Sequence, residues 1–230
     1  MSTLTSRTRS TGADSRPGTA SLLAAGVVAG PLYVTVSLAQ ALSRPGFDLT
    51  RHPWSALANG DLGWIQVTNL IVTGVLVIVF AIGLGRVLTK RERSGQGRDA
   101  ATRWAPPLIT VYGASLVVAG IFRADPVAGF PVGTPATTMI SGHGMVHLMA
   151  GAVGFLCLTA ACLLLARRFA PASRAWAVWT AGAGIVFLGA FVGIASGAGS
   201  RATIVTFVAA GLIIWTWFTT FALHLLRSSH

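Results

Sequence analysis

The sequence predicts an all-α membrane protein, a polytopic bundle of six transmembrane helices with both the N- and C-termini in the cytoplasm. Composition places the chain in a membrane, because 53% of its 230 residues are hydrophobic and only 10% are charged, whereas soluble domains carry about 25% charged residues. Six apolar runs follow one another, each long enough to supply the roughly 20 residues that span a bilayer as a helix. We therefore expect one membrane domain over residues 21–226 and a multi-pass location in the cell membrane.

The individual elements follow from the hydrophobic pattern. Residues 1–20 are rich in Ser, Thr, Gly and Arg and lack apolar periodicity, so a disordered, basic cytoplasmic tail is predicted. The first run, residues 21–42, exceeds the roughly 7 to 15 residues of a signal-peptide core and predicts a retained helix; cleavage at the Ala-x-Ala pattern of residues 39–41 is the alternative. The other predicted helices span residues 64–84, 105–122, 143–166, 176–196 and 202–226, before a short cytoplasmic tail at residues 227–230.

The basic residues predict the orientation. Of the 17 Lys and Arg residues, 13 lie in segments at one end of the predicted helices, whereas Arg44, Arg51, Arg123 and Arg201 lie at the other end. Cytoplasmic segments of membrane proteins carry the excess of positive charge, so both termini are predicted to be inside. The four outward arginines oppose this rule and are expected to have partners. A nucleic-acid partner is excluded, because the basic residues lie between apolar runs and are not gathered on one folded face.

Polar side chains within the spans are concentrated in the outer halves. Gln66, Asn69 and Thr73 have the spacing that puts them on one face of the second helix. His143 and His147 lie one turn apart on the fourth helix, on a face that continues with small residues and is expected to point into the bundle. Together these residues predict a polar pocket that opens outward. Further helix-packing surfaces are predicted at Gly26, Gly30, Gly189, Gly193 and Gly197.

Three short motifs resemble a known family. They are Asp48 with Trp54-Ser55-Ala56-Leu57-Ala58-Asn59-Gly60 and Trp64, then Phe122-Arg123-Ala124-Asp125-Pro126, then His143-Gly144-Met145-Val146-His147. These motifs make the chain similar, over residues 20–226, to the prokaryotic membrane family catalogued as domain of unknown function 998. The resemblance implies six helices and supplies no activity. Where that family often has a small polar residue before the aspartate of F-x-x-D-P, this chain has Arg123 and Ala124.

The function that these residues favour is binding of a small ligand or a lipid head group in the outward pocket. Arginine side chains can clamp phosphate or carboxylate groups, and neighbouring Asp and His side chains can orient them through charge-assisted hydrogen bonds. The predicted ligand-binding residues are Arg51, Arg123, Asp125, His143, His147 and Arg201.

Two further functions stay open. His143, His147 and Asp125 could share a zinc ion, which would favour a metal-dependent membrane hydrolase acting on a lipid. A zinc site needs three or four ligands, and this segment lacks the glutamate of the H-E-x-x-H metalloprotease motif. A proton-coupled transporter is the second alternative, because His and Asp side chains relay protons within membranes. The residues leave open whether the protein is an enzyme.

A purely structural explanation also stays open. Asp125 could pair with Arg123 or Arg201, and Pro126 could simply end the third helix. Ser55 and Asn59 are expected to cap a turn or a helix. The expected partners are membrane lipids and, as an open alternative, further copies of the same chain in a homo-oligomer.

Overall fold

Six long helices make up the computed structural model, which describes residues 18–92, 99–127, 129–135, 139–196 and 200–228. Each helix is long and apolar enough to cross a membrane. The predicted all-α, six-helix architecture of a multi-pass membrane protein is therefore confirmed. The first helix begins within the segment predicted as a tail, and residues 1–17 and 229–230 lie outside the described residues. The helices are α1 (Thr19–Ser43), α2 (Gly63–Arg91), α3 (Ala100–Ile121), α4 (Gly142–Phe169), α5 (Arg174–Ala195) and α6 (Arg201–Arg227).

The helices pack in chain order and close on themselves. Each helix packs against the next, and α6 packs against α1. The chain thus passes up and down through the bundle, which has two distinct ends. We call the end where α1 and α3 finish and α2 and α4 begin the polar end, and the opposite end, where α1 begins and α6 finishes, the basic end. That the basic end faces the cytoplasm stays a prediction.

Small residues let neighbouring helices approach closely. A Cβ atom added to Gly74 of α2 would lie 2.5 Å from the carbonyl oxygen of Gly113 in α3, and a Cβ atom on Gly113 would lie 2.7 Å from that of Gly74. On α4, a Cβ atom added to Gly154 would overlap with the Ser115 hydroxyl of α3. Gly154 and Ala161 are both buried, so the inward orientation predicted for this face of α4 is confirmed. Such close contact drives helix association in lipid.

The glycine surfaces predicted on α1 and α5 have different outcomes, and Gly197 lies outside the described residues. Gly26 and Gly30 lie so close to α2 and α6 that there is no room for a side chain, as predicted. Gly189 of α5, in contrast, is exposed, and an added Cβ atom there would meet no other atom within 4 Å. The buried face of α5 carries Phe187 and Phe191. Because residue 189 lies halfway between them in sequence, it falls on the opposite side of the helix.

The polar stripe of α2 faces α1 and does not border a pocket. Gln66 Oε1 accepts hydrogen bonds from Gln40 Nε2 at 2.9 Å and from Ser37 Oγ at 3.3 Å, and Asn69 Nδ2 donates to Ser37 Oγ at 3.2 Å. The side chains of this stripe, including Thr73, are buried. The prediction that they belong to an outward pocket is wrong, because these side chains face α1, where Gln66 and Asn69 form hydrogen bonds with Ser37.

Candidate functional site

The loop between α1 and α2, residues 44–62, folds over the polar end of the bundle and is called the lid below. The lid contains a short 3-10 helix, Trp54–Ala58. Two guanidinium nitrogens of Arg44 donate hydrogen bonds to the carbonyl oxygens of Leu57 and Asn59, at the end of this helix. The prediction that Arg44 has partners is confirmed, and those partners are backbone groups.

Asp48 and His52 stabilise the turn that begins the lid. The Asp48 carboxylate accepts hydrogen bonds from the Thr50 hydroxyl at 2.7 Å and the Thr50 backbone nitrogen at 2.8 Å, and these bonds lower the pKa of Asp48. His52 Nδ1 accepts a hydrogen bond from the Asp48 backbone nitrogen at 2.9 Å. The His52 ring lies 5.7 Å from the Phe130 ring, and the Arg44 guanidinium lies 4.8 Å from the centre of that same ring. Asp48 and His52 therefore contribute to the structure of the lid.

The Asp125 carboxylate binds the start of α4. It accepts hydrogen bonds from the Ser141 backbone nitrogen at 2.9 Å and from the Ser141 hydroxyl at 2.5 Å. Ser141 Oγ in turn accepts a hydrogen bond from the backbone nitrogen of Gly144 at 3.0 Å. A Cβ atom added to Gly144 would overlap with the Asp125 carboxylate. Because a helix N-terminus attracts negative charge, Asp125 links the segment after α3 to the start of α4.

His147 binds the C-terminal end of the neighbouring helix. Its Nδ1 atom lies 2.9 Å from the carbonyl oxygen of Ala119 and 3.0 Å from that of Phe122. Carbonyl oxygens only accept hydrogen bonds, so Nδ1 carries the hydrogen and donates. The last carbonyl groups of a helix lack partners within that helix. His147 thus supplies a partner for two carbonyl groups at the end of α3.

The other predicted site residues are exposed. His143 lies in the first turn of α4 and is exposed, but its ring lies 5.3 Å from the Phe122 ring at the end of α3. It therefore contacts the bundle only at its edge, whereas His147, one turn further into α4, lies level with the end of α3. Arg51, Arg123 and Arg201 are exposed as well, and none of them forms an ion pair with another residue in the described part of the chain.

Two of the three predicted zinc ligands, Asp125 and His147, form hydrogen bonds within the protein. Within the described ranges, no three His, Cys, Asp or Glu side chains come together in a way that could hold a metal ion. Asp125 binds Ser141, and His147 directs Nδ1 towards the end of α3. Zinc at His143, His147 and Asp125 stays a prediction, as does the proton-coupled transporter.

A cavity of about 140 Å³ lies in the polar half of the bundle, below the lid. Ser55, Ser115 and His147 contribute polar groups, and the Ser115 hydroxyl already donates to the Tyr112 carbonyl oxygen at 2.7 Å. No charged Asp, Glu, Lys or Arg side chain belongs to the described lining. The outward pocket is therefore largely apolar and not polar as predicted. Eight of the lining residues are Phe, Tyr or Trp: Tyr33, Trp54, Tyr112, Phe155, Phe187, Phe191, Phe207 and Trp215.

The cavity extends along the bundle from the lid towards the middle of the membrane domain. His147 borders its outer part and Phe155 its inner part; at 1.5 Å per residue of helix these positions are about 12 Å apart. Gly211 of α6 also borders the cavity, and it is buried. A Cβ atom added to Gly211 would meet no other atom within 4 Å, so this position faces the empty space of the cavity.

Sequence reasoning missed the wall of this cavity. Among the predicted site residues, only His147 lines it. A signal is present in retrospect: Phe187 and Phe191 on α5 and Phe207, Gly211 and Trp215 on α6 recur every four residues, which places each set on one helix face. Apolar residues at this spacing occur equally on faces that contact lipid, so the pattern alone does not reveal a cavity.

Comparison with known proteins gives one match. The sequence matches the family described as "Protein of unknown function (DUF998)" over residues 27–224, which is more than half of the chain and includes all six helices in whole or in part. No curated protein and no solved structure matches the chain.

Proposed function

The chain belongs to the DUF998 family of proteins of unknown function, and we propose that it binds a small amphiphilic molecule inside the bundle. The apolar part of the ligand occupies the aromatic cavity, and its polar group lies near His147 at the outer part of that cavity. The observation that carries this proposal is an internal space lined by eight aromatic side chains and bordered by a buried glycine that points into it.

The size of the cavity limits the ligand. A cavity of about 150 Å³ in another protein holds one benzene molecule, and the cavity here measures about 140 Å³. The apolar part of the ligand is therefore one ring, or a chain of similar bulk. A complete diacyl lipid is too large for this space. Aromatic walls favour a ring, because aromatic pairs gain about 0.5–1.5 kcal/mol beyond the burial of their area.

The exposed arginines of the polar end bind lipid head groups in this proposal and do not bind the ligand in the cavity. Arg51, Arg123 and Arg201 surround the end of the bundle to which the cavity is nearest, and they are exposed. A basic residue near a membrane surface attracts anionic lipid by about 1 kcal/mol. We assign these arginines to lipid head groups at the membrane surface and the ligand to the cavity.

Filling the cavity tests this function. Toluene is a suitable probe, because it has a benzene-sized ring and no polar group. A ligand at ten times its Kd stabilises a protein by about 1.4 kcal/mol, so the wild-type protein in detergent should melt at a higher temperature when toluene is added. The variant Gly211→Val should lose this shift, because its side chain occupies the space.

The matched control is Gly189→Val, at a glycine of α5 that is also without neighbours within 4 Å but exposed. It should keep the shift of the wild-type protein, which separates binding in the cavity from a general effect of toluene on the detergent. Tryptophan fluorescence provides a second readout, since Trp54 and Trp215 line the cavity. An equal toluene shift in Gly211→Val and wild type would refute the proposed function.

A further inference from the structure

We propose that His147 selects ligands that carry a neutral hydrogen-bond donor, such as a hydroxyl group on the ring. This inference rests on the proposed function and adds the chemical class of the ligand to it. The juxtaposition that supports it is a histidine with one nitrogen bound to a helix end, at the border of an aromatic cavity that has no charged lining residue in the described chain.

The hydrogen bonds of His147 determine which nitrogen is left for a ligand. Nδ1 donates to the carbonyl oxygens of Ala119 and Phe122, at 2.9 and 3.0 Å. In a neutral imidazole one nitrogen carries the hydrogen and the other accepts. In the neutral ring with its hydrogen on Nδ1, Nε2 has the lone pair. No hydrogen bond to Nε2 is formed by any residue within the described ranges, so this acceptor is available to a ligand.

The cavity has other polar groups besides His147, since the hydroxyls of Tyr33 and Tyr112 and the indole nitrogens of Trp54 and Trp215 belong to lining residues. Trp54 Nε1 is buried and has no hydrogen-bond partner in the described chain, so it suits the oxygen that phenol and anisole share. The Ser115 hydroxyl donates to its own helix at the Tyr112 carbonyl oxygen. Ser55 belongs to the lid, and this residue is only partly buried. The described lining contains no carboxylate to hold a cation and no Lys or Arg to hold an anion. A neutral donor therefore fits this cavity better than a charged group, which would lose its hydration without gaining a counter-ion.

Phenol and anisole separate this inference from the proposed function. The two molecules share the benzene ring, but only phenol has a hydrogen-bond donor. A neutral hydrogen bond should make phenol bind about three- to tenfold more tightly than anisole to the wild-type protein. Failure of both molecules and of toluene to bind would overturn the proposed function and this inference with it. Equal binding of phenol and anisole would overturn only the selection by His147.

The variant His147→Asn tests the residue itself. The side-chain nitrogen of asparagine can take the place of Nδ1 as donor to the end of α3. Its carbonyl oxygen then lies at the position of Cδ2, and no acceptor is left at the position of Nε2. We expect the ratio of phenol affinity to anisole affinity to fall to about one in this variant. A phenol preference that persists in His147→Asn overturns the proposal.

A measurement on the wild-type protein covers the case in which the variant does not fold. Across phenols with para substituents, affinity should rise with the acidity of the hydroxyl group, because a more acidic hydroxyl is a stronger donor to Nε2. The corresponding anisoles should not follow this trend. The same slope in both series would contradict donation to His147.

Discussion

Polar side chains at the polar end of the bundle mainly bind backbone groups. Arg44 and His147 donate to carbonyl oxygens, and Asp125 accepts from the Ser141 backbone nitrogen as well as from its hydroxyl. Helix ends have unpaired N–H and C=O groups, and water becomes scarce towards the hydrocarbon core. These residues, which the sequence suggests as functional, therefore stabilise helix ends and the lid. His147 keeps a second polar atom, Nε2, for another partner.

The close contact between Gly144 and Asp125 predicts that adding a methyl group at position 144 destabilises the protein. Gly144→Ala should displace the Asp125 carboxylate and break its bonds to Ser141, since the added Cβ atom overlaps with that carboxylate. Loss of a helix N-terminal partner typically costs about 1 kcal/mol. We expect a lower melting temperature in detergent.

Gly142→Ala is the matched control for this prediction. Gly142 lies in the same helical turn, and a Cβ atom there would meet no atom within 4 Å. This variant should melt at or above the wild-type temperature. If the two variants melt alike, the close approach of Asp125 to α4 does not exist in solution.

At the scale of the elements, the sequence was sufficient to locate the helices but not to orient all of their faces. Each predicted span overlaps one helix, because hydrophobic length is a local property. The largest difference is at α2, which was predicted to end at Leu84 and extends to Arg91. The polar stripe with Gln66 was assigned to a pocket but packs on α1. Which helix a face meets depends on the arrangement of all six, and periodicity within one helix does not contain that information.

The start of α3 is joined to the end of α4 by an ion pair. The Asp99 carboxylate accepts hydrogen bonds from the Thr102 backbone nitrogen and hydroxyl, at 2.7 and 2.8 Å, and pairs with Arg168. Burial alone would raise the pKa of Asp99, but the bonds from Thr102 and Arg168 outweigh burial and lower it. Since the pKa is lower in the folded state, the stabilisation is present above the unfolded pKa of about 3.9 and is lost as the pH falls below it.

This pH dependence predicts how the variant Asp99→Asn behaves. It should melt below the wild-type protein at pH 7, and the difference should shrink as the pH falls below about 4. Arg168→Met should also melt below the wild-type protein at pH 7, because it removes the ion pair. Arg167→Met is the control, since Arg167 is the adjacent residue and is exposed. A loss for Asp99→Asn that stays constant from pH 7 to low pH would contradict the linkage.

For the whole molecule, the candidate site was predictable only where the sequence pattern is polar. His147 was identified because an ionisable residue within an apolar span is unusual. Tyr112 and Trp215 were not, because an aromatic residue in such a span is ordinary, and only the closed bundle brings these two rings to one cavity, 6.1 Å apart. An empty space is a property of the packed molecule and has no signature in a single segment. The position of Gly211 next to that space is visible only in three dimensions.

The orientation of the bundle is a prediction for the whole molecule. Of the 17 Lys and Arg residues, 13 lie in segments that the sequence predicts to be cytoplasmic, because the excess of positive charge is retained in the cytoplasm during insertion. A cysteine at Val132, which is 74% exposed at the polar end, should then react with a membrane-impermeant thiol reagent in intact cells. A cysteine at Ala172, exposed at the basic end, should react only after permeabilisation. Both are best made with Cys157→Ser, since Cys157 is only partly buried. The reverse pattern of labelling would place the polar end of the bundle, with the lid, on the cytoplasmic side.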